Sequence, residues 1–339
     1  MSQLRIYTTS AGRIIYTFPV QSFDRLINNI YLISDGTNRI LIDTGSGTPQ
    51  ANNDLLAGFA AIAEQDPGLQ MADLTHILIT HGHIDHFGGL PFIRQFSDAP
   101  IGVHVLDRRV LSNHEERVIF ASRRLAHFLE QAGVAADHHS QLMQVYLFSK
   151  NYYRSQSTQI SLEEDKPTVG EIQVYHVPGH CPGQVCLLVD DVMLTADHIL
   201  SRTTPHQAPE SITNNMGLGH YLDSLDKIGR ISGIRLALGG HESPIGEAYG
   251  LDVYGRIQAI KTAHDERLNK ILDICTTSDP KTIAEISTAL FGTVSSYHVL
   301  LALEETGAHV EYLHQRGELN AANLDEIAVQ DRPIVRYQR

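Results

Sequence analysis

Cysteine is scarce in this sequence: three residues in 339, at Cys181, Cys186 and Cys275. The number is odd and the spacing irregular, so there is neither a disulfide framework nor a Cys-x-x-Cys zinc knuckle, and a reducing cytosol is the expected compartment. Long apolar runs are missing as well. None approaches the ~20 residues that span a bilayer, and no apolar segment follows Met1-Ser2-Gln3-Leu4-Arg5 as it would in a secretory signal. Positive charge is in short supply: 26 Lys and Arg stand against 39 Asp and Glu, a net charge of −13. Such a chain repels polyanions unless a local basic patch overrides the bulk field, so nucleic acid is not the expected partner. Internal repeats and low-complexity tracts are absent too. What these absences leave is a soluble intracellular protein with one large domain, or a large domain and a small one.

Strand signals dominate the first hundred residues. Asn29 to Ser34 and Arg39 to Asp43 are β-rich runs around the turn Asp35-Gly36-Thr37-Asn38 and read as a hairpin. Thr48 to Ala63 reads as a helix, with Leu55, Leu56, Phe59 and Ile62 at helical spacing. Residues 107–154 change character, rich in Leu, Phe, Arg, Glu and Ala with few turn signals, and read as a helical insertion. Strands return at Ile172–Val177, Val185–Val189, Val192–Thr195 and Ile234–Leu238. Beyond Gly250 helices are expected at Arg256–Cys275, Thr282–Leu290 and Ser296–Glu305, then a strand-like Ala308–Leu313.

The densest chemistry lies at His81-Gly82-His83-Ile84-Asp85-His86, four potential metal ligands in six positions. The cluster follows the apolar run Leu74–Thr80, which has the length and branching of a buried strand, and Gly88-Gly89 breaks the chain just beyond it. A strand therefore delivers imidazoles and a carboxylate into a loop, a donor set suited to zinc or another divalent first-row metal. Three later strands end the same way. Val177 runs into Pro178-Gly179-His180, Thr195 into Ala196-Asp197, and Leu238 into Gly239-Gly240-His241. A sheet edge gathers such residues from distant sequence. His81, His83 and His180 would fill one metal site, Asp85, His86 and His241 a second, and Asp197, with two oxygens, would bridge them. Cys181, His76, His198 and His104 read as packing residues.

These seven positions resemble the metallo-β-lactamase superfamily, which carries His-x-His-x-Asp-His, a later Gly-His, a bridging Asp and a final His. Leu41-Ile42-Asp43-Thr44-Gly45 is similar to its early Asp motif, in which the Asp supports the metal loop from behind the ligands. The resemblance covers roughly residues 14–250 and implies an α/β fold, an αββα sandwich of two sheets with helices outside and metals at one rim. It implies a catalytic domain over 1–250 and a small winged-helix-like helical domain over 251–339. It also implies two divalent ions, zinc foremost with iron or manganese as alternatives, supplying hydroxide near neutral pH for attack on an ester-type carbonyl. Asp85 would ligate a metal and move a proton. His83 occupies a position where the di-iron oxidoreductases of the family carry Glu, which favours a hydrolase over a redox protein.

For the substrate the residues narrow the field. Pro178-Gly179-His180-Cys181-Pro182-Gly183 resembles the corresponding stretch of glyoxalase II-like thioesterases and lactonases. A lactonase would carry a Tyr soon after Asp197, where His198-Ile199-Leu200 stand instead. A small-molecule thioester or ester is expected, with a metallo-endoribonuclease and a lactonase as alternatives. The tail's acidic residues outnumber its basic ones, so packing or homodimer formation is expected of it rather than nucleic-acid binding. In the insertion Arg108, Arg109, Arg123 and Arg124 form either a solvated face or the clamp for an anionic handle on the substrate.

Overall fold

The computed structural model describes residues 4–150, 153–166, 168–295 and 297–339, in two compact units. The first comprises Met1–Glu115, Tyr152–Pro205 and Ser224–Ile257; the second comprises Glu116–Asn151, His206–Asp223 and Gln258–Arg339. The division differs from a boundary at residue 250, because most of the 107–154 segment groups with the C-terminal helices. Among the described residues no helix is long and apolar enough to cross a membrane.

The first unit holds a seven-stranded sheet ordered β1 (Arg5–Thr8), β2 (Ile14–Phe23), β3 (Leu26–Ser34), β4 (Arg39–Ile42), β5 (His76–Leu78), β6 (Ile101–Val103) and β7 (Ile160–Ser161). Pairing is antiparallel from β1 to β4 and parallel from β4 to β7. Parallel neighbours need crossover connections, and the first carries α1 (Pro49–Gln65). The short helices α2 (Ile84–Phe87) and α3 (Leu90–Ile93) follow β5, and α4 (Arg108–Ser112) follows β6. A second sheet is ordered β12 (Ile245–Gly246), β11 (Leu236–Gly239), β10 (Val192–Ala196), β9 (Val185–Val189), β8 (Gln173–His176).

Alternating side chains give the larger sheet two apolar faces. Ile15, Tyr31, Ile33, Ile40 and Ile42 pack with Val174, Leu187, Leu194, Leu236 and Leu238 of the smaller sheet. Tyr16, Phe18, Leu32 and Leu41 point the other way and pack with Leu55, Phe59 and Ile62 of α1. The result is the expected sandwich, sheet on sheet with helix outside. Helix α1 starts where Thr48 Oγ1 accepts from Ala51 N–H and Pro49 occupies the first turn. Gly58 lets it close on the sheet: a Cβ there would lie 2.2 Å from the Phe18 ring.

The remaining helices are α5 (His114–Gln131), α6 (Ala136–Lys150), α7 (Leu218–Gly229), α8 (Val253–Ile274), α9 (Ile283–Phe291), α10 (Tyr297–Gln315) and α11 (Leu324–Val329). In the second unit α10 packs on α6 and α9. Helix α9 begins with a reciprocal cap, Thr282 Oγ1 accepting from Glu285 N–H while Glu285 accepts from Thr282 N–H. The expected strand over Ala308–Leu313 is instead the C-terminal half of α10. Val310 and Tyr312 alternate like a strand, but Leu303, Thr306, Val310 and Leu313 recur at helical spacing and are buried, and Thr306 Oγ1–H donates to Ala302 O. A short ladder of β13 (Asn320–Ala321) with β14 (Tyr337–Gln338) follows. Ser296, expected to open α10, and residues 151 and 152 of the insertion lie outside the described residues.

Candidate metal centre

The segments that carry the candidate centre each follow a strand. β5 ends at Leu78 and leads to His81, Gly82 and His83; the chain then enters α2, which carries Asp85 and His86. This corrects the expectation of a loop throughout, because one helical turn places Asp85 and His86 after His83, whose extended backbone starts the helix. His180 follows β8, Asp197 follows β10 directly, and His241 follows β11 by two residues. Ala196 has φ 45 at a register shift in β10, which turns the chain where Asp197 leaves the sheet.

The seven side chains fall into two groups. His81, His83, His180 and Asp197 bring ligand-type atoms within 4.8 Å of one another, and so do Asp85, His86 and His241. The rings of His81, His83 and His180 lie 4.5–5.2 Å apart, centroid to centroid. Asp197 reaches both groups: Oδ2 is 3.6 Å from His180 Nε2 and 3.3 Å from His241 Nε2, and Oδ1 is 3.5 Å from His86 Nε2. Asp85 Oδ2 lies 3.4 Å from both His86 Nε2 and His241 Nε2. Gly240 permits this crowding, since a Cβ there would stand 2.4 Å from Asp197 Oδ1.

The supports are as telling as the cluster. Asp43, at the end of β4, takes φ 62, a conformation costly for a non-glycine residue. Its carboxylate accepts from Thr80 N–H at 2.8 Å, from Thr80 Oγ1–H at 2.8 Å and from His86 Nδ1 at 2.8 Å. His86 Nε2 is thereby turned to the cluster and kept available, the arrangement expected of an Asp behind a metal ligand. His241 is oriented the same way by a different acceptor, its Nδ1 donating to Ile27 O at 2.7 Å.

Charge in the centre is divided between rings and carboxylates. Burial alone would lower His241, but Asp197 and Asp85 raise it to about 10; Asp197, Asp85 and Asp43 likewise raise buried His86 well above its usual value. Burial opposes ionisation of Asp85 and Asp197 too, yet His86 and His241 hold both carboxyls well below their ordinary range. Burial, reinforced by the neighbouring His86 and His83, lowers His81 and keeps it neutral. The site thus holds two ionised carboxylates, Asp85 and Asp197, whose charge His86 and His241 offset. His81 Nε2 and Asp197 Oδ1 are buried without a hydrogen-bond partner among the described residues, as donor atoms reserved for a metal would be. An all-nitrogen-and-oxygen set of this kind fits divalent first-row metals.

Residues 23–241 match the family model described as metallo-beta-lactamase superfamily. The chain belongs to that superfamily. A metallo-beta-lactamase family protein from Thermus thermophilus is similar in structure, with 27% identity, a TM-score of 0.75, and 96% of this chain and 98% of that one covered. The probable metallo-hydrolase YqjP of Bacillus subtilis (strain 168) is 24% identical over 297 residues, 84% of this chain and 86% of that protein. An atrochrysone carboxyl ACP thioesterase of Aspergillus fumigatus is 35% identical over 71 residues, 21% of this chain and 15% of that protein. Matches at 32–35% identity are short, spanning between 15% and 34% of the relatives concerned. As a member of the metallo-beta-lactamase superfamily with these relatives, the chain is a hydrolase.

Residues not singled out in the sequence also touch the clustered side chains or the loop that carries His241. Asn28 is buried on β3, and its Nδ2 donates to Asp85 Oδ2 at 3.1 Å and lies 3.3 Å from His86 Nε2. Its neighbour Asn29 faces the other way and donates from Nδ2 to Gly239 O and Glu242 O on either side of His241. Two adjacent asparagines in a strand otherwise rich in apolar residues were the available signal. Arg108, half-buried, and Arg109, exposed, lie on α4, and Arg123 and Arg124 are exposed on α5. His104 is buried and stacks on His176 at 3.9 Å, consistent with packing.

A third group of ligand-type residues lies in the second unit: His264, Glu305 and His309, all buried. Arg267 Nη1 donates to Glu305 Oε1 at 2.5 Å, and Gln207 N–H donates to Glu305 Oε2 at 2.7 Å. His309 Nδ1 donates to Glu305 O at 2.7 Å, leaving Nε2 to accept from His264 Nδ1 at 3.0 Å. Burial lowers His264 to about 3 and keeps His309 neutral as well.

Proposed function

We propose that this hydrolase cleaves a small-molecule thioester or ester, with two divalent cations, zinc first among them, held by His81, His83, His180, Asp85, His86, His241 and the shared Asp197. The observation that carries this reading is the convergence of seven ligand-type side chains into two groups with one carboxylate in reach of both. Cations held there would supply hydroxide at neutral pH and offset negative charge developing on the substrate carbonyl. The protein's own part is orientation and proton handling. Asp43 and the Ile27 carbonyl fix the rings of His86 and His241, so that their Nε2 atoms face inward without rearrangement. Asp85 stays ionised at neutral pH and is steadied by Asn28. Its carboxylate takes the proton of the attacking water and returns it to the leaving thiolate or alkoxide. No serine or cysteine nucleophile is needed, and Cys181 beside His180 is buried.

A relative named as an acyl-carrier-protein thioesterase supports the thioester class. The net charge of −13 supports a small substrate over RNA. Three buried free thiols support a reducing, cytoplasmic setting. An anionic handle on the substrate would be taken by Arg108 or Arg109. The test is metal analysis together with turnover of acyl thioesters, lactones and RNA by the zinc-loaded protein. Thioester hydrolysis at a kcat/KM at least a hundredfold above the others is the expected result. Preferential cleavage of lactone or RNA would overturn the assignment. The double change Arg108→Ala with Arg109→Ala is expected to raise KM several-fold for an anionic ester and to leave a neutral one unaffected.

A further inference from the structure

Asp107 stands at the start of α4, where an aspartate ordinarily turns back to cap its own helix, yet its side chain makes no cap hydrogen bond. Both oxygens are directed to other segments. Oδ2 accepts from Gly82 N–H at 2.7 Å, and Oδ1 accepts from Gly183 N–H at 3.0 Å. Gly82 is the residue between His81 and His83, and Gly183 lies three residues beyond His180. The carboxylate is fully buried. Both glycines are fitted to it: a Cβ on Gly183 would lie 2.6 Å from Asp107 Cγ and 2.8 Å from its backbone nitrogen, and one on Gly82 would lie 3.2 Å from Cγ. The Gly183 loop is closed on itself by Val177 N–H donating to Gln184 O at 2.8 Å and by His176 Nε2 donating to Pro182 O at 2.8 Å. These two bonds tie together the ends of the loop that carries His180.

We propose that Asp107 is a positioning residue for the His81–His83–His180 half of the centre, its two oxygens fixing the separation of the two loops that carry those rings. The inference rests on the metal-binding reading above and adds to it a residue outside the ligand set. Buried charge-assisted bonds to backbone N–H groups are directional and costly to lose, so a single carboxylate can hold two loops in register. Aspartate is required by its symmetry. Asparagine has the same shape but would turn an amide NH2 toward one of two N–H donors, breaking one of the two links.

The test separates the two halves by using single-site backgrounds. In His241→Ala, which retains the three-imidazole group, adding Asp107→Asn is expected to weaken Co(II) affinity 10- to 100-fold, the range typical for groups that orient ligands. In His83→Ala, which retains Asp85, His86 and His241, the same change is expected to leave Co(II) affinity as it was. Equal weakening in both backgrounds, or none in the first, overturns the proposal. If Asp107→Asn does not fold, Gly183→Ala, which disturbs the same contact from the other side, takes its place with the same expected outcomes. Failure of the parent His241→Ala protein to bind Co(II) at all would instead refute the metal-binding reading.

Discussion

The metal centre and the His264–Glu305–His309 group are both buried, both built from imidazole and carboxylate, and differ in where the positive charge resides. In the second group the cation is covalently part of the chain: Arg267 lies against Glu305, and both imidazoles are neutral. In the centre the charges that hold down the Asp85 and Asp197 carboxyls are those of His86 and His241. A proton on an imidazole exchanges for a metal ion; a guanidinium tethered to α8 does not. Ligand-type residues in proximity are thus insufficient to define a metal site. The two groups differ in that the carboxylate of the second already has a guanidinium against it.

That comparison can be broken by experiment. The largest effect is expected for Asp85→Ala, which removes the carboxylate assigned to proton transfer; turnover should fall by about 10²–10⁴-fold. Steady-state kinetics at saturating metal checks this, and near-normal turnover would remove the role. Next comes Arg267→Ala, which leaves a buried Glu305 without its cation. A loss of about 3 kcal/mol is expected, the lower end of the range for a broken buried pair because the Arg267 side chain is 21% exposed. Denaturant unfolding would measure it. If the guanidinium is what keeps metal out, zinc should raise the melting temperature of this variant more than that of the parent.

Smaller changes probe the supports. Asp43→Ala frees His86 Nδ1 and is expected to cost 10- to 100-fold in affinity for one metal equivalent, read by competition with a chelating dye. Unaltered affinity would make the strained φ at Asp43 a matter of loop packing alone. The smallest effect concerns pH. Burial lifts the Glu305 carboxyl to about 7, opposed by Arg267 and by Gln207 N–H; His264 and His309 beside it stay neutral. A folded-state value above the unfolded one means that the protonated acid favours folding. This contribution is full below about 4.5 and is lost as pH rises through about 7. Glu305→Gln should therefore flatten the stability profile between those limits, and an unchanged slope would assign it to other groups.

Much of this is legible from local sequence. The strands carrying the centre are readable because β-branched runs end in Gly-His, Ala-Asp and Gly-Gly-His, a punctuation that survives without knowledge of the fold. The segment 308–313 reads as a strand because six residues of α10 alternate by chance, and only the burial of Leu303, Thr306, Val310 and Leu313 along one stripe reveals the helix. Asn28, Asp107 and the Ile27 carbonyl are hidden for a different reason. Their roles depend on partners 57, 76 and 214 residues away, and no local pattern encodes such a pairing.

The sequence by itself determined the donor atoms: which residues are imidazole or carboxylate, and that each follows a strand. It also determined the chain's acidity and the small number of its thiols. Tertiary structure decided which donors meet, which remain open to a metal and which are already paired. The physical reason is that side-chain chemistry is local, whereas desolvation and charge compensation are set by everything packed around a group. Glu305 and Asp197 are alike as acids, and only packing sets them apart, with Arg267 against the first and His86 and His241 against the second.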